Sequence, residues 1–292
     1  MYTELAYVGT LAEKGGPEQV DYPALDAATQ NLFELKSREN YSHVDDLIRD
    51  AFGTSELDTT IHKLLREKSN QHQRNIDIVD RVCGHKAFDD LENNRWDSYF
   101  FSQPVVRSLR NRTGFLKAQL ERKSRTTPFE KALAYACGTT PELYAFLRHN
   151  PDNLLLIECT ERNRNALLRA KNRCSHLSDR LTFSRSHVHR IRSGENYSFI
   201  WSTSLFDQGD DLTCSKELKR LINRCSPGGE ILISCFAETN PSRAMMSVFG
   251  WHAAHRSQDQ LLSIAQNAGA ERNQISIERD AEDSLYYLHI YR

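Results

Sequence analysis

Residues 132–142 read ALAYACGTTPE, and this stretch decides the fold. Residues able to fill a buried strand lead to Gly138, and a helix-forming run, PELYAFLRHN (141–150), follows at once. A strand, a sharp turn and a helix start place a ligand at the strand's carboxyl end. The same grammar continues outward. NLLLIECT (153–160) reads as a strand and ERNRNALLRAKNRC (161–174) as a helix. RLTFSRSHV (180–188) and YSFIWSTS (197–204) are strands, the second followed by helix DDLTCSKELKRLINRC (210–225). PGGEILISCF (227–236) is a turn and strand, and SQDQLLSIAQNAGA (257–270) a helix. RNQISIERD (272–280) and SLYYLHIYR (284–292) close the stretch as a hairpin joined by AEDS. Alternating strands and helices predict a doubly wound parallel α/β sheet, here with a terminal antiparallel hairpin.

Upstream the pattern is helical. PALDAATQNLFELKSREN (23–40), SHVDDLIRDAFG (42–53), TTIHKLLREKSN (59–70) and RNIDIVDRVCG (74–84) carry helical periodicity and no strand signal. KSRTTP (123–128) is polar and ends in Pro128, which makes it the expected linker. Two regions follow: an accessory helical region over 1–125 and an α/β domain over 126–292.

Composition narrows the function. The 292 residues carry a formal net charge of −1, with 39% hydrophobic and 26% charged residues. No global basic field favours nucleic acid. No apolar run approaches the ~20 residues of a membrane span, and the N-terminus has no signal-peptide pattern. Seven cysteines, an odd number with no C-x-x-C pair, argue against a disulfide framework or a metal site and suit reduced thiols in a cytoplasmic protein.

Gly138 would let a ligand approach the backbone, and Glu158, twenty residues on, reads as the acid that ends the second strand and accepts ribose hydroxyls. A single glycine provides poorly for a pyrophosphate. S-adenosyl-L-methionine carries no phosphate and fits the turn better.

On these motifs the chain resembles the class I S-adenosylmethionine-dependent methyltransferases, with a Rossmann-like sheet. ACGTTPE stands as the first motif, YSFIWSTSLFD (197–207) as the fourth and CSPGGEILI (225–233) as the entry to the fifth strand. The resemblance implies cofactor contacts from Ala136, Cys137, Gly138 and Glu142 around the first turn. It implies others from Glu158 and Cys159, from His187 and Val188 beside the adenine, and from Ser202 and Thr203 after the fourth strand. The family's first motif opens with an acid, and here that place falls on Tyr135 or Ala136. The N/D-P-P-Y motif of base methyltransferases is absent from STSLFD, which points away from nucleic acid.

A narrower likeness runs over residues 60–292. RNIDIVDRVCGHK (74–86), RWDSYFF (95–101), VVRSLRNRTGFL (105–116), STSLFDQGDD (202–211) and SPGGEILISCFAETNPSRAMMSVFGWHAAHRSQDQL (226–261) resemble bacterial 3-hydroxypalmitic acid methyl ester synthases, enzymes of quorum sensing. That likeness implies O-methylation of a small carboxylate-bearing or lipidic acceptor. The family's glycine- and tyrosine-containing stretch is replaced by SNQHQRN (69–75), which implies a changed acceptor. The other readings are N- or O-methylation of another natural-product intermediate, or a fold kept as a scaffold without turnover.

His252 and His255 in GWHAAHRS are the candidate general bases, on one face if the segment is helical. Arg112 and Arg256 could grip a carboxylate, with Phe206 and Trp251 lining an apolar acceptor channel. Trp96, Tyr99, Phe100 and Phe101 are expected at a seam between helices and sheet. Residues of about 60–115 are expected to cover the cofactor as a lid, and residues 1–59 to lie at the periphery or against a second copy in a homodimer.

Overall fold

The computed structural model describes residues 2–38, 42–51, 71–83, 95–127, 129–185 and 196–292. The chain divides into two compact units, Met1–Arg107 with Pro241–His252, and Ser108–Asn240 with Ala253–Arg292.

The first unit is helical among the described residues. It contains α1 (Tyr2–Glu13), α2 (Tyr22–Arg38), α3 (Ser42–Ala51), α4 (Gln71–Cys83), α5 (Arg95–Ser102), the start of α6 (Pro104–Thr126) and α10 (Arg243–Val248). Leu25, Ala28 and Leu32 recur at helical spacing and are buried on one face of α2, which packs on α10. The aromatic run of α5 is consumed in this unit. The Tyr99 hydroxyl donates to Asp26 Oδ1 at 2.6 Å. Tyr99 meets Tyr22 edge-on at 5.1 Å, Trp96 lies 5.9 Å from Phe249, and Phe100 lies 5.7 Å from Trp251. The sequence pattern placed these rings at a seam with the sheet; in the structure their partners are Phe249 and Trp251, which the chain returns from a distant loop.

Gly16 ends the turn after α1 at φ +122°, and a Cβ there would lie 2.8 Å from Arg95 Cβ and 3.0 Å from Trp96 N. Only glycine tolerates both the backbone angle and the contact. Gly16→Ala is expected to destabilise the protein by about 2 kcal/mol or more through strain and overpacking, read as a lowered midpoint of urea unfolding.

The second unit holds the sheet. Its strands are β1 (Lys131–Tyr135), β2 (Leu156–Thr160), β3 (Leu181–Ser184), β4 (Tyr197–Ser202), β5 (Cys225–Ala237), β6 (His255–Arg256), β7 (Ile275–Arg279) and β8 (Leu285–Tyr291). Their order is β3-β2-β1-β4-β5-β8-β7, with β6 alongside β5. The pairs among β1 to β6 are parallel, and β8 is antiparallel to both β5 and β7. The hairpin read from AEDS is present. Asp280 Oδ1 accepts from the amides of Ser284 at 2.8 Å and Leu285 at 2.7 Å, which closes the turn.

Helices cover both faces, as parallel strands require. Leu133 and Tyr135 of β1 belong to one buried cluster with α9 (Asp211–Ile222) and α11 (Gln258–Asn267). Ala132 and Ala134 belong to another with α6, α7 (Pro141–His149) and α8 (Arg164–Cys174). The period of two in β1 is what serves both faces.

α6 runs to Thr126, so the expected linker KSRTTP is mostly its last turn. Lys123 and Arg125 suit a helix C-terminus, and the hydroxyls of Thr126 and Thr127 donate back to the carbonyls of Arg122 and Lys123. A charge cluster anchors this end of α6. The buried carboxylate of Glu230 accepts from His289 Nδ1 at 2.8 Å, Arg122 Nη2 at 2.7 Å and Lys123 Nζ at 3.1 Å. Burial works against ionisation of Glu230, but these three donors outweigh it and hold its pKa down to about 2.

Six of the seven cysteines are buried, where they pack as small apolar residues. Among the described residues no helix is long and apolar enough to cross a membrane.

Candidate functional site

The strand order turns around at β1, which lies between β2 and β4. In open α/β sheets the carboxyl ends of the strands at that point form the ligand crevice.

The turn leaving β1 is unusual. Ala136, Gly138 and Thr140 all have positive φ, at 48°, 56° and 53°. These alternate positions are where three glycines would sit without strain. Ala136 and Thr140 each hold a left-handed conformation that costs about 1–2 kcal/mol, so the surroundings must enforce it. They do. The Ser204 hydroxyl donates to the Ala136 carbonyl at 2.9 Å, and Cys137 N donates to the Thr160 carbonyl at 3.0 Å. Arg173 Nη1 donates to the Thr139 carbonyl at 2.9 Å, and Thr140 Oγ1 lies 3.5 Å from Cys174 Sγ. Among the described residues, a Cβ added to Gly138 would meet nothing within 4 Å. The turn is therefore a preformed cradle, open above Gly138.

Glu161 completes the cradle. It follows directly on β2 and is buried. One carboxylate oxygen accepts from Gly138 N at 3.0 Å and the other from Asn163 N at 2.8 Å. Glu158 stands elsewhere. It pairs with Leu133 in mid-strand, while Tyr135 pairs with Thr160 at the strand end. Its carboxylate accepts from the Tyr197 hydroxyl at 2.6 Å and the Ser184 hydroxyl at 3.4 Å. The expectation that Glu158 ends the second strand is corrected: β2 continues two residues further, and the acid at its carboxyl end is Glu161. The residue count from Gly138 pointed to Glu158; in the parallel register with β1 the acid just past the strand end is Glu161.

Glu142, on the first turn of α7, is 2% exposed. Its Oε1 accepts from Trp201 Nε1 at 3.0 Å. Cys137 and Cys159 are buried under the cradle, and contact with Cys159 together with burial pushes the Cys137 thiol up. Ser202 Oγ accepts from Leu205 N at 3.2 Å and shapes the turn after β4. The Thr203 carbonyl accepts from Arg112 Nη1 at 3.0 Å, so Arg112 of α6 is brought to the carboxyl end of β4. Its Nη1 also donates to Ser234 of β5 at 3.1 Å. His187 and Val188 lie outside the described residues.

The residues expected at the acceptor have defined partners within each unit. Residues 251–254 are not helical and His255 begins β6, so the two histidines do not share a helix face. His255 has both ring nitrogens engaged: Nδ1 lies 3.0 Å from the Ala253 carbonyl, and Nε2 lies 3.1 Å from Asn240 Nδ2. These partners fix the Nδ1–H tautomer and leave Nε2 accepting from an amide. His252 is exposed, and its carbonyl accepts from Asn75 Nδ2 at 3.3 Å. Arg256 is 2% exposed. It donates to the carbonyls of Phe206 and Gly209 and to Asp211 Oδ1, so its guanidinium ties down the loop after β4. Phe206 is packed beneath it in the core, and Trp251 is buried against Phe100 in the first unit.

Sequence reading missed Glu161, Ser204 and the role of Trp201. The available signal was the spacing of small residues in A-x-G-x-T, which only the backbone angles reveal as a three-glycine pattern.

No family model and no curated protein matches the chain. Solved structures do. A protein from Bordetella parapertussis described as a possible exported protein matches at a TM-score of 0.63 and 15% identity, over 94% of this chain and 96% of that one. Magnesium protoporphyrin IX methyltransferase from Synechocystis PCC 6803, solved with S-adenosylhomocysteine bound, matches at 0.56 and 11% identity, over 76% of this chain and 95% of that one. The same enzyme with S-adenosylmethionine bound matches at 0.50, with 78% and 99% covered. At these identities the likeness is one of fold, and the fold of this chain is that of the class I methyltransferases.

Proposed function

We propose that the protein is an S-adenosylmethionine-dependent methyltransferase acting on a small molecule. The favoured reaction is O-methylation of a carboxylate-bearing or lipidic acceptor of the 3-hydroxy fatty acid kind. The observation that carries this reading is the cradle at the strand-order reversal: three left-handed backbone positions in five residues, open above Gly138 and fastened to a carboxylate at the next strand's end. Such a turn admits a nucleoside close to the backbone, and Glu161 stands where ribose hydroxyls would donate. The cofactor brings an already activated methyl group.

The chain's own part is then to hold and align the reactants, since positioning supplies most of the acceleration for an activated donor. Glu161 and the cradle amides fix the nucleoside end. Arg112 presents a cation at the carboxyl ends of β4 and β5. A carboxylate acceptor is ionised at neutral pH and needs no base, which agrees with a His255 whose two nitrogens are already used.

The test is calorimetry with S-adenosylhomocysteine, followed by transfer of labelled methyl from S-adenosylmethionine to a panel of 3-hydroxy fatty acids and other natural-product acids and alcohols. Binding with transfer to a 3-hydroxy fatty acid is the expected result. Binding with transfer only to another acceptor would leave the activity and replace the substrate. The scaffold reading draws on Ala136 and Thr140, which hold angles that glycine adopts freely; it predicts no binding of either nucleoside.

A further inference from the structure

A second polar site lies over β5 and β8, away from the cradle. Arg112 of α6 is 5% exposed. Its Nη1 donates to the Thr203 carbonyl at 3.0 Å and to Ser234 Oγ at 3.1 Å. Nε and Nη2 form the other edge of the guanidinium. Among the described residues that edge has no hydrogen-bond partner and no carboxylate at ion-pair distance, and it is not sealed from solvent.

Tyr287 stands beside it. It lies directly opposite Ser234 in the antiparallel register of β5 and β8. Residues paired in this way carry their side chains on one face of the sheet, with Cβ atoms about 4.5–5.5 Å apart. Phe115 stacks on the Tyr287 ring at 4.2 Å. Phe115 follows Arg112 by three residues on α6, so one helix face delivers both. Tyr287 is 4% exposed. Its hydroxyl has no partner among the described residues and is not sealed from solvent, although a buried hydroxyl is ordinarily bonded. Burial, opposed in part by the charge of Arg112, pushes the phenol's pKa up, so at neutral pH it keeps its proton. The nearby carboxylate of Asp280 is already taken by the Ser108 hydroxyl and the amides of Ser284 and Leu285.

The unused groups are therefore a guanidinium edge and a phenol, all donors to an anion. The flat fork of an arginine fits the two oxygens of a carboxylate. Its single positive charge also matches a carboxylate's, whereas a phosphate dianion would be left half compensated. The place in the sheet separates this site from the cradle. In the order β1-β4-β5-β8, β8 is the third strand from β1, about 14 Å away at a strand spacing of ~4.8 Å. A group held here belongs to something other than the nucleoside.

We propose that Arg112, through its Nε–Nη2 edge, and Tyr287, through its hydroxyl, form the subsite for the acceptor's carboxylate and select an acid over its neutral analogues. The inference deepens the proposed function and rests on it for the identity of the acceptor.

The test is calorimetry on the full chain at pH 7, saturated with S-adenosylhomocysteine, with 3-hydroxydecanoic acid and its primary amide as probes. The wild type is expected to bind the acid about tenfold or more tighter than the amide. Tyr287→Phe removes one oxygen and is expected to weaken the acid about tenfold, with the amide and S-adenosylhomocysteine unchanged. Arg112→Gln is expected to abolish the preference. Arg112→Lys keeps the charge without the fork; it is expected to lose most of the preference and serves if the glutamine variant does not fold. A Tyr287→Phe protein that keeps the full preference overturns the subsite. So does a wild type that binds S-adenosylhomocysteine but takes the acid no better than the amide, or takes neither; the cofactor reading then stands. If S-adenosylhomocysteine does not bind, the cofactor reading fails, and the acid–amide preference measured without it decides the subsite alone. S-adenosylhomocysteine binding weakened in Arg112→Gln as much as acid binding would put the guanidinium on the cofactor's own carboxylate and overturn its assignment to the acceptor.

Discussion

Glu161→Ala is expected to weaken S-adenosylhomocysteine binding by about 1.5–3 kcal/mol, the usual loss for hydrogen bonds to a charged group. Two effects combine. The ribose loses its acceptor, and the amides of Gly138 and Asn163 lose theirs, so the strained turn is no longer held. Glu158→Ala is expected to do the converse. Its carboxylate serves the buried Tyr197 hydroxyl, and an orphaned buried hydroxyl costs about 1–3 kcal/mol of stability, with binding little changed. Calorimetry and urea unfolding on the two variants give the comparison. Binding lost in Glu158→Ala and kept in Glu161→Ala would return the ribose to the mid-strand acid.

The second large effect is expected far from the cradle. Glu230→Ala should cost about 3–5 kcal/mol of stability, because it leaves the buried Lys123 ammonium without its anion and His289 Nδ1 without its acceptor. Lys123 and His289 are almost fully enclosed there, whereas Arg122 is half exposed and can turn to solvent. The pH dependence has a definite sign. The folded pKa of Glu230 is about 2, below its ordinary 4.5. The unfolded state therefore takes up a proton first as the pH falls. The stabilisation is complete above about pH 4.5 and is lost progressively towards pH 2, amounting to about 3 kcal/mol. Urea unfolding at pH 7 and through the range from pH 5 to pH 3 should show this slope in the wild type and a shallower one in Glu230→Gln. Equal slopes would mean the cluster is not what acid disrupts first.

How much of this was legible without coordinates depends on the range of the interaction involved. The strand–turn–helix at 132–142, the alternation that follows it and the terminal hairpin are local patterns. A strand that serves two buried faces must alternate its side chains between them, and Leu133 and Tyr135 against Ala132 and Ala134 do so. The end of α6 was misread for a local reason too: its last turn is as polar as a linker, and the hydroxyls of Thr126 and Thr127 that continue the helical pattern do not show in the polarity.

The site needed the tertiary structure. Ala136 and Thr140 disfavour left-handed angles, so their types conceal the turn; Ser204, Arg173 and Cys174, far along the chain, impose it. The partners of Trp96 and Phe100 were equally distant, since Phe249 and Trp251 come back from the far side of the sheet sequence. The choice between Glu158 and Glu161 rests on one register, Tyr135 against Thr160. Sequence alone pointed to an acid near the end of the second strand. Which acid it is follows from how far β2 runs beside β1, and that length is set by hydrogen bonds between strands and not by the residues of either strand alone.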